Sequence, residues 1–484
     1  MKQRRFTDPE NGPDQGLGSN KPAKLILPLA IGMAVLTALP VSAPADPPAL
    51  EASDAPVRAC GYVPGVSVPA KMPAGVADRP HIDVKPYSPP APISVDPKDT
   101  ALELSVLNGL SSAVNDHYVY TDFNGHDWPA LVAKYRALIE GGMRVDAFYG
   151  AMEALISELG DEHSYFQSPQ EIQAEKAALT SQYNFVGVGA LFLPIGLDRA
   201  AIMTLMEGGP GAEAGLQPHD TLLSVDRGPI RDSSGYSRTR GPEGTTVQLR
   251  IERPGEAPRD ITLTRRRVTG RLPIEYCLIS AARIGYIFLP TMLDQTMGDQ
   301  VREALQKLTA DGPLAGLVLD NRVNGGGLGS VDQAILDLFA SGIPGEYVTR
   351  DSREPLKLAP EDIGGSQSVP LTVLIDVDTV SYGEILSGVL RVSGRAKLLG
   401  GRTRGNVEQL RSYTFGDGSR AWLASATFQP RGMANGVWEK QGLVPDVALP
   451  TRWDLFTEAD DPALAKAVEL LTTKPEPTSV GPDH

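Results

Sequence analysis

Apolar residues recur every three to four positions in three early stretches of the chain. Leu102, Val106, Leu110 and Val114 form the first, and Trp128 to Ile139 and Val145 to Leu159 repeat it. This spacing predicts three helices, and Gly160 follows the third where a C-terminal cap belongs. The texture then changes. Phe185 to Phe192 reads as a glycine-interrupted strand, Gly209 to Leu216 as a short helix opening, Asp220 to Asp226 as a strand, and Arg240 to Arg253 as a turn followed by an alternating strand. Beyond residue 270 strands and helices alternate. Ile284 to Leu289, Leu314 to Asp320 and Val369 to Ile375 are short apolar runs; Thr296 to Leu308, Ser330 to Phe339 and Glu384 to Arg391 have helical spacing. That alternation predicts an α/β core with a largely parallel sheet.

The N-terminus follows no such pattern. Residues 1–23 are a polar leader with Lys2, Arg4, Arg5 and Lys21. Residues 24–45 hold an uncharged run of 17 residues, Leu25 to Val41, followed by Ser42, Ala43, Pro44 and Ala45. This is a secretory signal peptide, or a short signal anchor with its positive flank inside. Either way the bulk of the chain is expected outside the cytoplasm, secreted or anchored to the membrane. Residues 46–98 are proline-rich and read as an extended linker. Across all 484 residues the net charge is −14, with 41% apolar and 21% charged residues, which suits a packed chain and argues against a nucleic-acid partner. Cys60 and Cys277 are the two cysteines; they lack metal-ligand spacing, and a single disulfide between them stays open.

Chemistry concentrates where the strand ending at Ile375 meets the helix starting near Glu384. Ser381 sits at this corner, where helix N–H groups are unpaired and the dipole favours an anion. It reads either as a helix N-cap or as a nucleophile whose adduct carries an oxyanion. Gly325, Gly326 and Gly327 follow another strand and can bring N–H groups close to the same place. They do not form a phosphate loop, because no Gly-Lys-Ser/Thr follows. His163, just after the third helix stop, is one of six histidines and is placed for display to a site.

Residues 182–270 resemble a PDZ domain. The resemblance implies that Val186, Gly187, Val188 and Gly189 form a carboxylate-binding loop beside which an extended peptide adds as a strand. His219 departs from the glycine usual at its turn. With the strand–helix core, the chain resembles the C-terminal processing (tail-specific) peptidase family over about Ala101 to Leu449. The family's Asp-Leu-Arg-Asn-Asn-Pro-Gly-Gly falls on Asp320 to Gly327. Its Ser-Ala-Ser-Ala-Ser-Glu-Ile falls on Thr379 to Ile385, and its closing Gly-x-x-Pro-Asp on Gly442 to Asp446. The resemblance implies an N-terminal helical segment (99–181), an inserted PDZ domain (182–270), a ClpP/crotonase-like serine peptidase core (271–452) and a C-terminal tail (453–484).

One departure changes the chemistry. Many members carry a lysine base 25 residues after the serine; here that position is Asn406, and Lys397 lies in a strand and is expected to face solvent. A branch similar to the tricorn core peptidase uses serine, histidine and glutamate, with a serine beside the histidine. It implies Ser381 as nucleophile, His163 as base, Glu439 as its orienting carboxylate and Ser164 as an accessory. Gly326 and Tyr382 are the expected oxyanion donors. Neutral histidine is a natural base near neutrality. The expected activity is an exported serine endopeptidase acting on polypeptides, bound through their C-termini at the PDZ groove, with no metal and no cofactor. The alternatives are a catalytically inactive peptide-binding protein of the same fold and a crotonase-like enzyme on acyl thioesters.

Overall fold

The computed structural model describes residues 57–62, 87–182, 184–195, 198–232, 237–270, 272–279 and 281–473. The expected signal segment, most of the linker and the end of the tail lie outside them. No helix among the described residues is long and apolar enough to cross a membrane.

The alternating strands and helices build a six-stranded sheet. Its order is Val447–Ala448, Ala396–Gly400, Leu371–Ile375, Gly316–Asp320, Ile284–Phe288 and Glu275–Ile279. Neighbours are parallel except the last pair. Both faces are covered, so the central strands are largely apolar instead of alternating with polar residues, with Thr372 and Asp320 the buried exceptions in Leu371–Ile375 and Gly316–Asp320. Leu317, Leu319 and Val373 point to one face, where Val301, Ile335 and Ile385 of helices Met297–Thr309, Gly329–Phe339 and Tyr382–Val392 cover them. Val318 and Leu374 point to the other, beneath Leu464 and Val468 of helix Pro462–Thr472.

The three expected N-terminal helices are Pro97–His117, Trp128–Glu140 and Val145–Ser157. Their apolar stripes close on Ala421, Leu423 and Ala424 of the eleven-residue strand Arg420–Pro430. That strand pairs antiparallel with Tyr165–Gln167, Gln409–Thr414 and Gly342–Val348, which ties the helical segment to the α/β core.

Between them, Ala190–Ile195, Arg199–Leu205, Thr221–Val225, Thr246–Glu252 and Arg259–Thr264 form a five-stranded antiparallel sheet in that order. Ala190–Ile195 is its edge. The run from Phe185 to Phe192 is two strands and not one. Asn184–Gly187 pairs with Arg266–Thr269, and the chain breaks at Gly189, whose φ is +73°. His219 takes a turn conformation with φ +76°. Its ring stacks on Trp453 at 4.0 Å, and its Nδ1 lies 2.9 Å from the Trp453 carbonyl. Trp453 Nε1–H donates to Ile202 O at 2.8 Å, and the Arg322 guanidinium lies 5.4 Å from the Trp453 ring centre. His219 thus joins the antiparallel module to the core, a packing role added to its place in a turn. Cys60 and Cys277 form a disulfide with Cα atoms 5.0 Å apart, holding residues 57–62 to the edge of the six-stranded sheet.

Candidate active site

Strand Leu371–Ile375 is buried along its length and ends at Asp376. Asp376 Oδ1 accepts the N–H groups of Asp378 at 2.9 Å, Thr379 at 3.0 Å and Val323 at 3.1 Å. Burial pushes this carboxyl above the usual range, and the Asp378 charge adds to it. The Thr379 hydroxyl donates to Asn321 O at 2.9 Å, and Val380 N–H donates to Asn324 O at 3.0 Å. The chain is therefore fastened on both sides of a corner at which Ser381 takes φ 57° and ψ −125°. Positive φ in a serine is strained, and such strain gathers at functional corners. A nucleophilic serine raised on a strand-to-helix turn has this form.

Two neighbours hold the corner. Ser381 N–H donates to Asn406 O at 2.9 Å and lies 3.3 Å from Glu384 Oε2. Glu384, in the first turn of helix Tyr382–Val392, is fully buried. Its carboxylate accepts Thr403 Oγ1–H at 2.5 Å and the N–H groups of Gly405 and Asn406 at 2.8 Å each. Burial raises its pKa; these hydrogen bonds, and then the nearby His163, oppose the rise.

The glycine turn approaches from the neighbouring strand. Gly326 has φ +85°, and a Cβ there would lie 2.8 Å from Ser381 Cβ and 2.9 Å from the Tyr382 nitrogen. Only glycine permits that approach. The Gly326 N–H donates to Asn324 Oδ1 at 2.9 Å, so this expected oxyanion donor already has an acceptor. Tyr382 is the first residue of its helix, and its N–H has no intrahelical acceptor.

His163 comes from the other side. Asp161 Oδ1 accepts the N–H groups of His163 at 3.0 Å and Ser164 at 2.7 Å. The Ser164 hydroxyl donates to Asp161 Oδ2 at 2.6 Å and accepts Ala424 N–H at 3.0 Å. It clips this loop to strand Arg420–Pro430. His163 Nε2 lies 3.2 Å from Glu408 Oε2, with side chains 7% and 0% exposed, but the pair is not aligned as a hydrogen bond. Glu408 Oε1 accepts the Tyr120 hydroxyl at 2.7 Å. Glu439 Oε2 accepts Val407 N–H at 2.9 Å, and the reactive atoms of His163, Glu408 and Glu439 lie within 4.8 Å of one another. Burial, and then the charge of Glu408, push the Glu439 carboxyl far above its usual range, so it is neutral at pH 7.

The carboxylate in direct contact with the histidine is thus Glu408, which the sequence reading missed. Its signal is slight: it lies two residues after the position where a lysine was expected. Asn406, Val407 and Glu408 are consecutive, and they engage Ser381, Glu439 and His163 respectively. Two residues span at most about 7 Å, so the serine corner and the histidine converge on one short segment. Lys397 is exposed at the start of strand Ala396–Gly400. Val186 and Gly187 belong to the strand pair with Arg266–Thr269, while Val188 O accepts Gly211 N–H at 2.7 Å and Gly189 O accepts Met206 N–H at 2.9 Å.

Residues 283–449 match the pattern of peptidase family S41. A carboxyl-terminal-processing protease of Synechocystis sp. is 29% identical over 374 residues, covering 74% of this chain and 84% of that protein. The chloroplastic carboxyl-terminal-processing peptidase 2 of Arabidopsis thaliana is 29% identical over 367 residues, covering 71% and 68%. Among solved structures, the photosystem II D1 C-terminal processing protease shares the fold, with a TM-score of 0.52 at 24% identity over 77% of this chain and 97% of that one. Residues 283–449 are thus a peptidase family S41 domain, and the chain is similar over most of its length to carboxyl-terminal-processing proteases.

Proposed function

We propose that this chain is an exported serine endopeptidase in which Ser381 is the nucleophile, His163 the general base and Glu408 the carboxylate that steadies the imidazolium. The observation that carries this reading is the short segment whose consecutive residues hold Ser381 N–H and contact His163. Ser381 Oγ attacks the scissile carbonyl carbon while His163 takes its proton. The tetrahedral oxyanion is received by the N–H of Tyr382 and one from the glycine turn, with Gly327 as the alternative to Gly326. His163 then protonates the leaving amine, and water releases the acyl group by the same steps. Glu439 stands beside Glu408 as a neutral carboxyl able to donate a hydrogen bond to it. Ser164 acts by anchoring the loop that carries His163.

Residues 182–270 act as a PDZ domain that takes a polypeptide C-terminus. Supporting this, Ala190–Ile195 is an edge strand, open to an added strand beside residues 186–189. Export is supported by the Cys60–Cys277 disulfide, a bond that persists in oxidising compartments. Segment 24–45 then directs export and either is removed or anchors the protein.

A fluorophosphonate probe tests the nucleophile. It labels the parent chain and not Ser381→Ala, and peptide digestion is lost in the same variant. Labelling that persists in folded Ser381→Ala removes Ser381 from the reading. His163→Ala loses both labelling and digestion by several orders of magnitude; near-normal activity in it removes the histidine.

A further inference from the structure

The carboxylates beside His163 are more than a base needs. His163, Glu408 and Glu439 present one nitrogen and two oxygens, all within 4.8 Å of one another. His163 Nε2 is buried and makes no hydrogen bond among the described residues, and Glu408 Oε2, equally buried, has no partner beyond the Glu439 carboxyl beside it. They face each other at 3.2 Å on side chains that are 7% and 0% exposed. An imidazole N–H and a carboxylate at that distance ordinarily align. The separation instead suits two ligands of one tetrahedral ion: bonds of about 2.0–2.1 Å at the tetrahedral angle place neighbouring donor atoms about 3.3 Å apart. The groups behind them are already engaged. Tyr120 OH donates to Glu408 Oε1 at 2.7 Å and Val407 N–H to Glu439 Oε2 at 2.9 Å, the kind of outer contact that orients metal ligands.

We propose that His163, Glu408 and Glu439 form a binding site for a divalent cation of the zinc class, with the fourth position left to water. Imidazole beside carboxylates selects Zn²⁺ over Mg²⁺ or Ca²⁺, which prefer oxygen donors and higher coordination. Metal on Nε2 leaves the ring's one proton on Nδ1, so neither nitrogen is free to take the serine proton and an occupied site does not hydrolyse peptides. That consequence rests on His163 being the base; binding itself does not.

The two are measured apart. Full-length Ser381→Ala protein in detergent is titrated with Co²⁺, a zinc surrogate whose tetrahedral complexes absorb in the visible. One equivalent binds with a saturable band, and Zn²⁺ displaces it. His163→Gln and Glu408→Gln each weaken binding at least about tenfold, while exposed His126→Gln leaves it unchanged. Circular dichroism verifies folding; where His163→Gln does not fold, Glu439→Gln takes its place. A folded Ser381→Ala protein with no saturable band at millimolar Co²⁺ overturns the site. So does binding that survives Glu408→Gln and Glu439→Gln together. Zn²⁺ binding that leaves peptide hydrolysis untouched keeps the metal site and removes His163 as base.

Discussion

Replacing Glu408 by glutamine tests how the two buried carboxylates share one task. At 3.2 Å, the attraction between an imidazolium and Glu408 is about 5 kcal/mol at an effective dielectric of about 20. Unreplaced, its loss slows the reaction by between about 10³ and 10⁴, since each 1.36 kcal/mol is a factor of ten. Glu439 stands within 4.8 Å and, once ionised, supplies at least about 3.5 kcal/mol of the same attraction. The difference, about 1.7 kcal/mol, is roughly twentyfold. Which limit applies depends on the charge of Glu439. Burial, then the charge of Glu408 and its hydrogen bond, raise its pKa; the variant removes the charge and leaves burial in place. Glu439 therefore stays neutral at low pH and ionises as pH rises.

The expected result is a kcat/KM for Glu408→Gln that starts hundreds- to thousandsfold below the parent at pH 6.5. It then climbs towards about twentyfold below as Glu439 ionises in the alkaline range. The double variant Glu408→Gln/Glu439→Gln stays about 10³- to 10⁴-fold down with no climb. Steady-state cleavage of a short reporter across pH, each value divided by the parent's, reads this directly. A single variant that tracks the double at every pH refutes the sharing, and one with parental activity at pH 6.5 refutes a charge role for Glu408.

Three further outcomes follow from other parts of the structure. Gly326→Ala places a methyl 2.8 Å from Ser381 Cβ and 2.9 Å from the Tyr382 nitrogen at φ +85°; it costs about 1–2 kcal/mol in backbone strain alone and lowers kcat/KM about a hundredfold, and parental turnover would contradict the close approach. Glu103, buried in helix Pro97–His117, has a pKa raised to about 7 by burial and then by Asp99. Its neutral form is therefore favoured on folding: nothing is lost below about pH 4.5, stability falls as pH rises towards 7, and Glu103→Gln is more stable than the parent by about 1–2 kcal/mol at pH 8, after solvent screening, and no more stable at pH 4, as read by urea denaturation. Cys60→Ser/Cys277→Ser opens a closure of 217 residues and lowers stability by about 2–5 kcal/mol; the same denaturation curve in parent and variant would show that the bond constrains nothing.

The sequence made some of this legible because the deciding forces are local. Strand Leu371–Ile375 and helix Tyr382–Val392 follow from a buried apolar run meeting an amphipathic one, and the serine at their junction needed no tertiary knowledge. The loop position of His163 was legible from a helix stop at Gly160, whose φ is +68°. Helix Pro169–Gln182 was missed because its sequence carries almost no apolar periodicity. Glu408 was missed for a different reason. Its role depends on strand Gln409–Thr414 pairing with Arg420–Pro430, which also pairs with the strand just after His163. No spacing in the chain encodes that meeting. Ser164 shows the same limit: its place beside the histidine was legible, but its bond to Ala424 N–H was not.

That shared strand also bears on why an asparagine can stand where a lysine was expected. The main chain of Asn406 does the structural work, accepting Ser381 N–H and donating to Glu384. Its neighbour Val407 donates to Glu439, and Glu408 then faces His163. None of these contacts uses the Asn406 side chain, so the backbone frame around the serine does not depend on an ammonium group. A lysine at this buried position would stand among Glu384, Glu408 and Glu439, and losing its charge there, as a base must, means leaving paired carboxylates behind. A histidine opposite the same carboxylates faces the reverse demand. In the proposed mechanism it takes up charge only as the serine proton arrives, and the buried carboxylates already in place favour that step.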